Sequence, residues 1–312
     1  GVQVADVVVG FRELEQLTLE DAQRIAATTR FDYYCWDLYA RVTEWYDGDK
    51  DRLKIRAATL HDIEHGVEPT AGLAAFIADT VVRAHLKTMA RLNIDYELLT
   101  WEGDILRLQF WARAFEVLKE TGAVFLQPEG KHAGCWVMTI DDPDAAPPAD
   151  GEDADPDARE KVIVRSNGTV VYVGKDMAYQ FWKSGLLGKD FLYRKFATRM
   201  DGQPLWATTS NASQAEAAHP RFGAAAATYS VIDGRQSYLQ KLLKQALTSV
   251  GHPQEADRLT HFSYEMVALS HATAKELGFA PDPDSEEAKR PFVEVSGRKG
   301  LGVKADDLID RV

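Results

Sequence analysis

Tyr172 and Asp176 stand four residues apart where an alternating run, residues 169–173, gives way to a helical one, residues 175–187. In an open α/β sheet, residues at strand C-termini face the ligand crevice. A carboxylate there can hold a cationic group through two hydrogen bonds, and a tyrosine beside it adds a ring face or an acceptor. The same Asp176 could equally cap the helix through Met177, Ala178 and Tyr179. Asp233-Gly-Arg-Gln236 leaves a second short strand and opens a long leucine-rich helix, either as a polar lining or as turn and cap chemistry. His261 and Tyr264 end a third strand, where a lone histidine is more often a structural hydrogen-bonding residue than a catalyst.

Two further stretches carry chemistry-bearing residues. Ser296-Gly-Arg-Lys-Gly300 puts the adjacent cations Arg298 and Lys299 between glycines, after a short alternation at residues 292–295 and before Asp306 and Asp307, which open a last helical segment. Loop amides and two cations can converge on phosphate oxygens, although an ordinary solvated turn has the same composition. His61-Asp-Ile-Glu-His65 matches the H-x-x-E-H zinc peptidase pattern, in which two histidines one helical turn apart share a metal. Gly66 and Pro69 end that helix at once, which favours a solvated polar helix end.

The elements that must position these residues change in texture along the chain. Residues 1–11 read as a strand or as the buried start of a helix. Thr18 and Asp21 form a capping-box pattern, followed by helices over 31–46, 53–65 and 70–92. The aromatic stripe of residues 31–46 has helical spacing and reads as core rather than as a stacking platform. From residue 94 the pattern alternates: a strand at 94–100 feeding the turn Trp101–Asp104, a helix at 105–120, and paired strands at 124–126 and 135–140. A hairpin over 161–173 turns at Asn167-Gly168. Strands at 230–233 and 259–264 and helices at 237–250 and 271–277 follow, with residues 190–227 unassigned. Strands alternating with helices indicate an α/β fold with a largely parallel sheet. Residues 1–95 are expected to form a mostly helical part and residues 96–312 an α/β part. Residues 141–160 hold nine acidic residues and four prolines, too polar to bury a core, and are expected to be a disordered acidic insertion.

The apolar fraction of 45% and charged fraction of 27% are those of a soluble globular protein. A net charge of -12 argues against a broad nucleic-acid-coating surface while leaving room for a local basic groove. No apolar run approaches a membrane span, and no membrane association is expected. Cys35 and Cys135 are too few for a disulfide framework, which points to a cytoplasmic location.

In their order these pieces resemble one family, the class I arginyl-tRNA synthetases. The resemblance is carried by Gly1-Val-Gln3, by the turn Trp101-Glu102-Gly103-Asp104, by the run from Val164-Arg-Ser-Asn-Gly through Tyr172-Val-Gly-Lys-Asp176-Met-Ala-Tyr179, by Asp233-Gly-Arg-Gln236, by Leu259-Thr-His261-Phe-Ser-Tyr264, and by the signature-like Ser296 to Gly300. It implies a partial Rossmann-type catalytic domain with a largely helical N-terminal third. It also implies ATP-dependent activation of L-arginine, with Mg2+, and transfer to tRNA(Arg) by a monomeric aminoacyl-tRNA ligase. By the same resemblance Tyr172, Asp176, Gln236 and Glu102 line the arginine pocket, and His261, Gly297 and Gly300 contact ATP. Ser296, Arg298 and Lys299 act on the leaving pyrophosphate, and no residue is assigned to a protein-held metal. Glu294 and Gly297 stand where the family's signature has lysines, so the cationic work falls to Arg298 and Lys299. The family's His-Ile-Gly-His segment is expected upstream of Gly1 and its anticodon-binding domain after Val312, which would leave this chain inactive alone. The alternatives are a non-catalytic synthetase-like module and, through His61, Glu64 and His65, a zinc peptidase.

Overall fold

The computed structural model describes residues 1–139, 160–168, 170–265, 267–278, 281–282, 285–286, 288–294 and 303–311. They form two compact units: residues 1–97, 197–205 and 267–312, and residues 98–196 and 206–266. The acidic stretch 141–159 lies outside the described residues.

The first unit opens with α1 (Val2–Val9), which runs into a wide helical turn, Gly10–Leu14. Its valines, which favour strands, are helical because burial decides: Val7, Val8, Val9 and Phe11 are enclosed, with Val8, Val9 and Phe11 at 0% exposure. Gly10 is required by a close approach, since a Cβ there would sit 2.6 Å from Leu38 Cγ. Next come α2 (Leu19–Thr28), α3 (Phe31–Asp47), α4 (Leu53–His65) and α5 (Thr70–Arg91). Thr18 and Asp21 complete the capping box that starts α2, with Thr18 N donating to Asp21 Oδ2 at 2.8 Å and Asp21 N to Thr18 Oγ1 at 3.3 Å. Thr18→Ala should therefore lower the unfolding free energy of this unit by about 1 kcal/mol in urea titration. On α3 the buried residues Phe31, Cys35, Leu38, Val42 and Tyr46 recur at helical spacing, so the aromatic stripe is core. Inside this shell Asp6, 1% exposed, takes two hydrogen bonds from Arg56 of α4, at 2.7 and 3.0 Å.

The second unit begins with β1 (Leu98–Leu99), α6 (Glu102–Arg107) and α7 (Phe110–Glu120). The strand expected over 94–100 thus shrinks to two residues. The helix expected over 105–120 starts earlier and breaks at Gln109, which adopts a left-handed φ of 57°. β2 (Phe125–Leu126), β3 (Trp136–Thr139) and β4 (Glu160–Val164) form an antiparallel sheet. After β4, Gly168 takes a φ of 82° in the turn, and Val164 and Val170 make an isolated antiparallel bridge. The return strand then ends at once, because Tyr172 already opens α8 (Tyr172–Lys183). β5 (Leu192–Thr198) and β6 (Pro204–Thr209) fill the stretch that sequence left unassigned; residues 197–205 between and within them belong to the first unit. β6 lies between β5 and β1 and runs parallel to β1. β7 (Thr228–Asp233), α9 (Ser237–Ser249), α10 (Pro253–Asp257) and β8 (Leu259–Tyr264) follow, with β7 and β8 parallel. The core of this unit gathers Phe110, Leu118, Met138, Ile163, Met177, Phe181, Tyr193 and Leu242.

The chain returns to the first unit with β9 (Ala268–Leu269), α11 (His271–Glu276), β10 (Val293–Glu294) and α12 (Ala305–Ile309), β9 and β10 being antiparallel. Asp306, read from sequence as a helix-start residue, accepts from Arg30 and Arg91 at 2.7 Å each and from Thr88 at 3.2 Å. The α/β class stands. The single largely parallel sheet does not: among the described residues the strands form small sheets of mixed direction. Among those residues no helix is long and apolar enough to cross a membrane.

Candidate functional site

Tyr172 and Asp176 both lie on α8 rather than on either side of a strand end. The backbone of Tyr172 starts the helix, and its side chain lies outside what is described. α8 buries Val173, Met177, Ala178, Phe181 and Trp182. Asp176, Tyr179 and Lys183 recur at i, i+3 and i+7 on the opposite stripe, each half-buried. Gly174 seats the first turn closely, because a Cβ there would lie 2.8 Å from the ring of Trp111.

The Asp176 carboxyl makes no hydrogen bond among the described residues. Its pKa is pushed up to about 6, first by burial and then by the charge of Glu102, against the partial relief of Lys183 and Lys175. Glu102 sits in the first turn of α6, exposed, with Lys175 Nζ 3.4 Å away. Tyr179 Oη is 3.0 Å from Thr100 Oγ1. The Tyr179 ring stacks on Trp182 with centroids 5.4 Å apart, and Lys183 Nζ lies 4.3 Å over it.

Sequence reasoning missed what holds the Glu102 turn in place. Asp104, 2% exposed, accepts from Thr208 Oγ1 at 2.8 Å and from Arg107 at 3.1 Å. Thr208 Oγ1 in turn accepts from Trp101 N at 2.9 Å, and Arg107 donates to Ser210 at 2.7 Å. The start of α6 is thereby tied to the C-terminal end of β6, beside the end of its parallel partner β1. No sequence signal pairs positions 104 and 208, the second of which fell in an unassigned stretch. Trp101 Nε1 is buried without an acceptor among the described residues.

Gln236 and His261 belong to other elements of the same unit, the turn before α9 and the strand β8. Gln236 is exposed in the tight turn Gly234–Gln236 that leads from β7 into α9. Asp233 accepts from Arg235 N at 2.8 Å and pairs with the Arg235 side chain at 2.6 Å, which holds its carboxyl below the ordinary range. His261 Nε2 donates to the Ile232 carbonyl at 3.0 Å, bonding β8 to β7. The sequence-designated loop residues Ser296, Gly297, Arg298, Lys299 and Gly300 lie outside the described residues.

His61 and His65 stack with ring centroids 4.0 Å apart at the end of α4, and His65 Nδ1 bonds the His61 carbonyl at 2.8 Å. That bond commits His65 Nδ1 to its own helix. Among the described residues no group of three or more His, Cys, Asp or Glu could hold a metal ion, so the peptidase pattern has no third ligand there.

The unit thus offers on α8 a half-buried carboxylate with no hydrogen bond among the described residues, three positions before a tyrosine whose hydroxyl meets Thr100 and whose ring stacks on Trp182. Such a carboxylate suits a planar cation. No protein-family model matches the chain. Curated relatives do. An arginine–tRNA ligase of Thermus thermophilus is 32% identical over 282 residues, 90% of this chain and 40% of the relative. That of Deinococcus radiodurans is 29% identical over 305 residues, 94% of this chain and 44% of the relative. Among solved structures, the arginyl-tRNA synthetase of Thermus thermophilus superposes with a TM-score of 0.70 at 25% identity, covering 100% of this chain and 43% of that one. The chain therefore spans between 40% and 44% of the length of these relatives.

Proposed function

The chain is related over nearly its whole length to part of the arginine–tRNA ligases, and from that premise we propose that it carries the arginine-binding part of such an enzyme. Asp176 holds the substrate guanidinium, with Tyr172 beside it on α8, and Glu102 and Gln236 complete the pocket. The observation that carries this reading is the Asp176 carboxyl: half-buried, without a hydrogen-bonding partner among the described residues, and one helical turn before Tyr179, whose hydroxyl meets Thr100. A planar donor fork satisfies both carboxylate oxygens at once, which a point charge does not.

The activity proposed for the whole enzyme is arginine activation with ATP followed by transfer to tRNA(Arg), in the cytoplasm. The arginine carboxylate attacks the α-phosphorus and pyrophosphate leaves. Arg298 and Lys299 are the cations assigned to neutralise that leaving group, with Ser296, Gly297 and Gly300 shaping the loop and His261 near the nucleotide. Mg2+ enters only as the companion of the ATP phosphates. The donor sets of the described residues do not form a cage for it, and no step is assigned to a protein-held metal.

Calorimetric titration with arginine and with citrulline, its neutral isostere, tests the pocket. Arginine should bind and citrulline should be far weaker, because citrulline offers the carboxylate no charge. Arginine affinity should be flat above the Asp176 pKa of about 6 and decline below it, since protonation removes the acceptor charge. Equal affinities for the two ligands, or an acid limb at the ordinary value of 3.8, would refute the assignment.

A further inference from the structure

Lys183 is the residue on the α8 stripe that the proposed pocket leaves unexplained. It is a half-buried cation, and among the described residues it makes no direct ion pair with a carboxylate. Its ammonium lies instead over the Tyr179 ring at 4.3 Å. That ring cannot turn away freely, because Thr100 holds its hydroxyl and Trp182 stacks on it. Burial lowers the Lys183 pKa and the charge of Asp176 offsets only part of that, so the two groups sense each other along one helix face. Lys175, the other cation near Asp176, is already engaged by Glu102.

A guanidinium ligand seeks two things, a carboxylate and an aromatic face. Lys183 serves one and covers the other. Resting on the reading of Asp176 as the guanidinium partner, we propose that Lys183 is an internal stand-in for the ligand's cation, neutralising Asp176 and covering Tyr179 until a guanidinium displaces it. Binding is then an exchange of cations rather than a simple addition. Before a ligand arrives, Lys183 offsets part of the Asp176 charge. The exchange disfavours ligands that offer only an ammonium, because such a ligand replaces like with like. A guanidinium gains a second parallel hydrogen bond in the exchange.

Calorimetry at pH 8, where Asp176 is ionised, separates this role from its competitors. L-Arginine and agmatine, which lacks the carboxylate, are titrated into the wild type, Lys183→Met and Asp176→Asn. Displacement requires that Lys183→Met tighten both ligands by a similar factor, roughly tenfold if the lost interaction is worth one pKa unit. Weaker arginine binding with unchanged agmatine would make Lys183 an anchor for the ligand carboxylate and overturn the proposal. Unchanged affinity for both would make it structural and overturn the proposal equally. If Asp176→Asn leaves wild-type arginine affinity intact, the pocket reading fails instead. Carbon-13 NMR titration of the Asp176 carboxyl in the ligand-free protein needs no ligand at all. Its pKa should rise in Lys183→Met, or in Lys183→Gln if the first variant does not fold, and an unmoved pKa in a folded variant overturns the counter-ion role.

Discussion

Asp176→Asn is expected to weaken arginine binding roughly 100-fold, the loss of a charged two-bond contact worth about 3 kcal/mol. The same change is expected to stabilise the ligand-free protein. The folded-state pKa of Asp176 is raised from 3.8 to about 6, so the folded chain holds that proton more tightly than the unfolded chain. The stabilising contribution of the protonated form is complete below 3.8 and is lost as pH rises through about 6. At pH 7 the ionised carboxylate therefore burdens the fold, and a neutral amide relieves it. Thermal unfolding should show a higher Tm for Asp176→Asn at pH 7 and a smaller difference near pH 4. Lost binding together with gained stability is the pattern of a group kept for function, and it separates a pocket residue from a structural one. A variant that loses both would point to misfolding instead.

Arg56→Met is expected to destabilise the helical unit by about 3–5 kcal/mol, because it leaves a buried carboxylate without its partner. Asp6 is 1% exposed, and Arg56 supplies its two hydrogen bonds, at 2.7 and 3.0 Å, while also lying 4.5 Å over the Tyr46 ring. Replacing both members by apolar residues, Asp6→Leu with Arg56→Met, should recover most of the loss, since the penalty lies in the unpaired charge rather than in the missing attraction. Urea titration of the two variants measures both numbers. A single-variant loss below about 1 kcal/mol would mean that water reaches Asp6 and that the pair behaves as a surface one.

The helical unit was largely legible in sequence because its signals are local. The capping box at Thr18, the stripe from Phe31 to Tyr46 and the break at Gly66 each depend on neighbours within a few turns. The valines of α1 were ambiguous because their helical state is imposed by burial. Gln109 broke a helix without a glycine or proline to announce it. β5 and β6 are neighbours in sequence and in the sheet, joined by a short turn, but the parallel contact of β6 with β1 spans more than a hundred residues and leaves no local signal. Asp176 was singled out by its place at the change from an alternating to a helical run, and Glu102 only through the order of motifs in the family resemblance. The bond from Thr208 to Asp104, which fixes the Glu102 turn, is a contact between remote positions that no spacing rule reveals. Lys183 was legible in principle, at i+7 from Asp176 on a recognised helix, but only the ring position of Tyr179 gives it meaning.

The claim that Asp176 is the carboxylate that receives a guanidinium is tested most directly by carbon-13 NMR titration of its carboxyl with and without saturating L-arginine. Without ligand the midpoint should lie at about 6. With arginine bound it should fall by roughly 1–3 units, as for a carboxylate given a cation at hydrogen-bonding distance. A midpoint that stays near 6 while arginine is bound elsewhere would contradict the account.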